Sequence, residues 1–276
     1  MISISQKAGF KVYLKEDGYL EFNEDILFES PEPRFFSKAK NFFKDPNAKI
    51  NRDLLYLMYR NVRKKDDDEL LIKNDIRYDL TVIFPGKIGD EYIKTIGHYH
   101  PFKEGTKVSY PEIYEVIYGQ AKMIIQKFEK EKKNIVAVYY IEAGSGDKIV
   151  IPAQENFFFG HTTINPTSDF LVLANTQERT FQSDYSEYLK KSGASYYLLN
   201  IKGQEKLEKN SKYEFAPPIM RLVFKESIPE LCLSKSKPLY PSIIENIRQF
   251  RQYLTFPEES LKILSIENCC SAAGQY

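Results

Sequence analysis

The stretch Thr95–Gly119, TIGHYHPFKEGTKVSYPEIYEVIYG, decides how the chain is read. His98 and His100 stand one residue apart. On a β-strand, positions i and i+2 point to the same face, so both imidazoles can reach one point. Glu112 heads the β-rich run EIYEVIYG, and Tyr114, two residues on, faces the same side. The third and last histidine, His161, lies in GHTTIN after a second β-rich run. Imidazole nitrogen and carboxylate oxygen suit a divalent transition metal. The expectation is one such ion per subunit, held by His98, His100, Glu112 and His161 inside a small β-barrel.

Outward from this stretch the pattern stays β. DLTVIF ends at Pro85-Gly86, and IYEVIYG and AKMIIQKF flank Gly119-Gln120 as a hairpin. NIVAVYYIE, KIVIP and DFLVLAN follow, and ASYYLLN can close a sheet. Short strands with turn signals between them predict a mainly β barrel or jelly roll over residues 76–202. Residues 1–75 read as an arm and covering segment. Within it RDLLYLMYRNVR and KKDDDELLIKN are expected to be helical, because Leu54, Leu57, Met58 and Val62 recur at near-helical spacing. Residues 203–276 read as a linker, GQEKLEKNSKYEFAPP, followed by a helical extension. LYPSIIENIRQFRQYL there is expected to form an amphipathic helix with Ser242 and Glu245 as its capping box, packed on the barrel or on a second subunit.

Composition narrows the class. The 39 basic and 38 acidic residues leave a formal charge of +1, which argues against a nucleic-acid footprint and gives no support for a polybasic membrane patch. No apolar run approaches the ~20 residues of a membrane span, and the first residues lack a signal-length apolar core. A cytoplasmic location is expected. The three cysteines, Cys232 and the adjacent Cys269 and Cys270, offer neither a disulfide framework nor CxxC spacing and read as reduced thiols.

Two acidic residues compete for the ligand position. Glu104 follows His100 by four residues and Glu112 by twelve. Glu112 is preferred on a resemblance to cupins, which implies a glycine seven residues after the glutamate: Gly119 holds that place for Glu112, and Pro111 for Glu104. HxH, the glutamate, then Gly146, Pro152, His161 and Asn165 resemble the two-part signature of cupins, in which such residues bind a metal in a barrel. Thr81, Pro85-Gly86, Gly89, Glu91, Thr95-x-Gly97-His98-x-His100 and Glu112-x-Tyr114 are similar to the cupin-type glucose-6-phosphate isomerase family, over about residues 50–190. The resemblance implies a cupin barrel, a divalent metal (iron(II) first; manganese, nickel, zinc and cobalt also accept the set), a homodimer, a sugar-phosphate partner and aldose–ketose isomerisation.

The same resemblance implies roles. Glu112 is the candidate base and Tyr114 a hydroxyl beside the sugar. Thr81, Thr95 and Gly97 match phosphate-side positions, and Tyr185 a substrate-side tyrosine. Two departures stand out. PAQENFFFGH puts four extra residues between Pro152 and His161, an aromatic flap or a shift of the ligand. Ser183 stands where family members can carry a further histidine. Two rival readings follow: a non-haem iron oxygenase, against which the Thr/Gly set counts, and a cupin that binds a sugar phosphate without turning it over.

Overall fold

The computed structural model describes residues 1–129, 134–261 and 263–272. Two six-stranded sheets face each other. The first runs in the order β8–β5–β10–β3–β2–β1, from β1 (Glu32–Phe35), β2 (Leu54–Tyr59), β3 (Ile76–Ile83), β5 (Glu112–Tyr118), β8 (Lys148–Ile151) and β10 (Leu171–Glu178). The second runs β4–β9–β6–β7–β11–β12, from β4 (His98–Tyr99), β6 (Gln120–Glu129), β7 (Asn134–Gly144), β9 (Phe157–Ile164), β11 (Ile219–Phe224) and β12 (Cys270–Ala272). From β3 to β6 and from β7 to β11 successive strands alternate between the sheets, and all pairings are antiparallel except β7 with β11. This is a mainly β, cupin-type barrel.

The expected helix over 52–74 is corrected. LLYLMY is strand β2, and only Asp68–Lys73 is α-helical there. The near-helical spacing of Leu54, Leu57, Met58 and Val62 misleads because the apolar run is continuous. Both faces of β2 are covered, with Leu55, Leu57 and Tyr59 on one and Tyr56 and Met58 on the other, all buried. A strand covered on both faces needs no alternation. The arm also carries a small antiparallel sheet of Ile2–Ser3, Val12–Leu14 and Leu20–Phe22.

The polar stretch expected as a linker forms a strand instead. Gln204–Lys209 pairs with Tyr196–Ile201, which in turn meets Glu91. The predicted helix is two helices, α1 (Leu239–Glu245) and α2 (Ile247–Thr255), broken at Asn246. Ser242 does not cap: it lies within α1 and its hydroxyl donates to the Pro238 carbonyl at 2.8 Å. The expected apolar face is present, since Ile243, Phe250 and Leu254 are wholly buried and Ile247 half-buried. It packs outside the barrel against β10 and β3. The extension is pinned there by buried polar contacts. Glu115 accepts from Leu239 N at 2.6 Å and pairs with Lys148 Nζ at 2.8 Å, and Lys148 also donates to the Lys237 carbonyl at 2.7 Å. Among the described residues no helix is long and apolar enough to cross a membrane.

Candidate metal centre and substrate cavity

The barrel brings the four expected ligands together. His98 on β4 is the register partner of His161 on β9, so the two imidazoles share one face of the second sheet. His100 follows two residues after His98 and is fixed from behind: its Nδ1 lies 2.9 Å from the Tyr110 carbonyl and its backbone N–H donates to Phe159. Glu112 opens β5 on the opposing sheet. Its Oε2 stands 3.2 Å from His100 Nε2, 3.4 Å from His161 Nε2 and 4.0 Å from His98 Nε2. One ligand atom from each of the four lies within 4.8 Å of all the others. Gly97 makes this approach possible. Its φ is +77°, and a Cβ there would meet the Tyr188 ring at 2.3 Å.

Electrostatics leave these donors ready for a cation. Burial holds His98 well below its ordinary protonation range, with His161 and His100 adding to the effect, and burial likewise lowers His161. Burial pushes Glu112 up, but the adjacent His100 and His161 outweigh it and keep the carboxyl well below its usual range. His98 Nε2 and Glu112 Oε2 are buried without a hydrogen-bond partner. Such orphans are costly unless something else satisfies them. A divalent ion held by three imidazole nitrogens and one carboxylate oxygen does so, and the donor set fits it.

The other Glu112 oxygen is already engaged. Asn175 Nδ2 on β10 donates to Oε1 at 2.7 Å. Gln177, with its amide oriented to satisfy both ends, donates to the same oxygen at 2.9 Å and accepts from Arg77. Oε2 is thereby aimed at the imidazoles. Glu104 is exposed in its loop, away from the cluster.

A cavity beside the cluster is lined by His98, Glu112, His161 and Tyr114, and also by Thr81, Thr95, Gly97 and Tyr185. The Tyr114 hydroxyl is 3.4 Å from His161 Nε2, and burial keeps its proton on. Thr95 Oγ1 accepts from Thr163 N at 3.0 Å, which ties the Thr95–Gly97 turn to β9. Asp184 exchanges two backbone hydrogen bonds with Tyr99, and this carries Tyr185 to 5.8 Å from the His98 ring. Ser183 also reaches the wall. The four extra residues before His161 neither shift the ligand nor cover the cavity. They lengthen β9, where Phe157, Phe158 and Phe159 pair with Glu129, Phe128 and Lys127. Phe158 stacks on Phe102, with ring centres 4.1 Å apart.

Sequence reading missed Arg60, Tyr56, Asn175 and Gln177 on the cavity wall. Arg60 lay in the segment read as helix. Asn175 and Gln177 carried one signal, two polar residues spaced by two near the end of an otherwise apolar strand.

Fold and donor set define the class: a cupin-type barrel with a three-histidine, one-carboxylate cluster able to hold a metal ion. Residues 36–215 match the family model described as Glucose-6-phosphate isomerase (GPI), and the chain belongs to that family of enzymes. The curated relative named Glucose-6-phosphate isomerase from Thermococcus litoralis is 26% identical over 197 residues, 70% of this chain and 94% of the relative. The one from Pyrococcus abyssi is 22% identical over 201 residues, 71% and 95% of the two chains. Among solved structures the fold is similar to oxalate decarboxylase from Bacillus subtilis at a TM-score of 0.30 and 19% identity, covering 45% of this chain and 25% of that one. It is likewise similar to vicilin from Capsicum annuum at 0.31 and 15%, covering 47% and 30%.

Proposed function

We propose that the protein is a metal-dependent aldose–ketose isomerase that interconverts glucose 6-phosphate and fructose 6-phosphate, a step shared by glycolysis and gluconeogenesis. The observation that carries this reading is the convergence of His98, His100, Glu112 and His161 beside a cavity lined by Thr81, Thr95, Gly97 and Tyr185. Bound there, a divalent ion supplies Lewis acidity at the sugar's O1 and O2. Iron(II) is the first choice, and manganese, nickel, zinc or cobalt fit the same donors.

The chain's own groups do the rest. Among the described residues that line the cavity, Glu112 is the only carboxylate. With Oε1 held by Asn175 and Gln177 and Oε2 turned toward the imidazoles, Glu112 is the group we assign to take a proton from one sugar carbon and return it to the next. Tyr114, which keeps its hydroxyl proton, donates to a sugar oxygen. Thr81, the Thr95–Gly97 turn and Tyr185 receive the rest of the substrate. The reading includes a homodimer, which sedimentation tests directly.

The test is a coupled assay. Protein loaded with iron(II) or manganese(II) is given fructose 6-phosphate, and glucose 6-phosphate is read by a dehydrogenase. Turnover is expected, with solvent deuterium entering the product if Glu112 carries the proton. Metal-loaded protein that binds fructose 6-phosphate without converting it overturns the enzyme reading in favour of a sugar-phosphate sensor. Full turnover retained in Glu112→Gln removes the base role from Glu112.

A further inference from the structure

Among the described residues that line the cavity, Arg60 alone carries a permanent positive charge. It follows β2 directly. Met58 opposes Thr81 across the β2–β3 pair, so Arg60, two residues further, comes beside Asp79. Asp79 opposes Asn175 on β10, and Asn175 opposes Tyr114 on β5. Arg60, Asp79, Asn175 and Tyr114 therefore form one row across the inner face. Arg60 stands three strands from Tyr114, roughly 14 Å between backbones at the usual strand spacing. Inward-pointing side chains narrow that gap. The guanidinium thus faces the metal cluster from the far wall, next to Thr81.

The guanidinium is anchored but not saturated. Its Nη1 donates to Asp79 Oδ2 at 2.8 Å. Its Nη2 has only the Met58 thioether, at 3.2 Å, and sulfur is a weak acceptor. Its Nε is 3.7 Å from Glu32, whose side chain is 56% exposed. Asp79, wholly buried, is shared: Arg77 Nε stands 3.1 Å from the same oxygen, and Asn61 N donates to the other at 2.9 Å. Two guanidiniums meet on one buried carboxylate, and the second carboxylate near Arg60, Glu32, is more than half open to water and screened by it, so the wall stays positive. Burial works against the Arg60 charge, but Asp79 more than offsets it, and that charge is felt at His98 and Tyr114 across the cavity.

We propose that Arg60 is the anion-binding residue of this site, gripping the phosphate of the sugar phosphate with its Nη2 and Nε edge in place of the weak Met58 and exposed Glu32 contacts, while Asp79 fixes its fork. The proposal rests on the isomerase reading for the identity of the sugar. The anion contact itself stands on the geometry of the wall. A planar fork and a phosphate match edge to edge, and charge-assisted pairs of this kind are the strong ones. The arginine then sets specificity for phosphorylated over free sugars and fixes which end of the chain lies at the metal.

The test uses the full, metal-loaded chain and the variants Arg60→Gln and Arg60→Lys. Asp79 keeps Arg77 and Asn61 as partners in both, and a melting curve checks folding. Arg60→Gln is expected to retain full metal content and to raise KM for fructose 6-phosphate roughly ten- to hundredfold. Inhibition by inorganic phosphate weakens in parallel. Arg60→Lys recovers part of the loss, because charge returns without the fork. Unchanged KM and unchanged phosphate inhibition in Arg60→Gln overturn the proposal, as does a fall in kcat alone. If the wild type fails to turn over fructose 6-phosphate, the isomerase reading falls by itself. Calorimetric titration with inorganic phosphate then decides the anion contact: tighter binding to wild type than to Arg60→Gln upholds it, and equal binding sinks it.

Discussion

His161 Nε2 and His100 Nε2 stand 3.2 Å apart, although 61 residues of chain separate them. At that distance the two rings can share a hydrogen bond, and both nitrogens converge with Glu112 and His98 within 4.8 Å, where a cation would take the place of that proton. His98→Ala and His161→Ala are therefore expected to release the metal, read as metal per chain by atomic emission. Each variant also loses the stabilisation that a folded-state ligand confers, about 2.7 kcal/mol when free metal is a hundred times its Kd. Full metal content in either variant removes that residue from the ligand set.

Glu104→Gln serves as the matched control. Its carboxylate is exposed, so metal content and turnover are expected to stay at wild-type values. A large loss of either transfers the acidic role from Glu112 to Glu104.

Asn175→Ala leaves Glu112 Oε1 with Gln177 as its remaining amide partner. Groups that orient a ligand commonly change metal affinity ten- to a hundredfold, roughly, when removed. Competition with a chelator is expected to reveal a loss of that size while the fold, followed by circular dichroism, is kept. Unaltered affinity means that Oε2 needs no such guidance.

The buried imidazoles predict how metal-free protein responds to acid. His98 and His161 have folded-state values below the ordinary 6.5. The unfolded chain then takes up protons that the folded chain refuses, so their contribution is present above about pH 6.5 and is lost as pH falls below it. Denaturant midpoints of metal-free protein should drop over that window. A His98→Gln/His161→Gln double variant should flatten the drop, and an equally steep one places its cause elsewhere.

The outer helix is tested at Phe250, wholly buried on α2. Phe250→Ala is expected to cost about 3–5 kcal/mol, as large-to-small changes in packed cores do. A cost below about 1 kcal/mol, from urea unfolding, indicates that the helix leans on the barrel without sharing its core.

The inner cluster was legible because its information is local. His98-x-His100 is a period-two pattern, and the glycine seven residues after Glu112 separates it from Glu104. The β class was legible from alternation and turn residues over 79–200. What escaped depends on pairing between distant strands. LLYLMY carries apolar residues on both faces, so it offers no alternation to distinguish strand from helix, and Arg60 disappeared with it. Asp79, Asn175 and Tyr114 line up only once three strands are in register. Gln204–Lys209 is polar because its strand lies at a sheet edge, where composition alone resembles a connector.

Glu115 and Lys148 tie the length of the chain to the chemistry of two strand positions. Without residues 237–239, the carboxylate and the ammonium would each lose a main-chain partner in a place that water does not reach. A chain lacking that segment would keep the Glu115–Lys148 pair but leave it without its two main-chain partners. The two strand positions and the extension thus form one polar unit, so that exchange at 115 or 148 loosens the grip of the outer helices on the barrel.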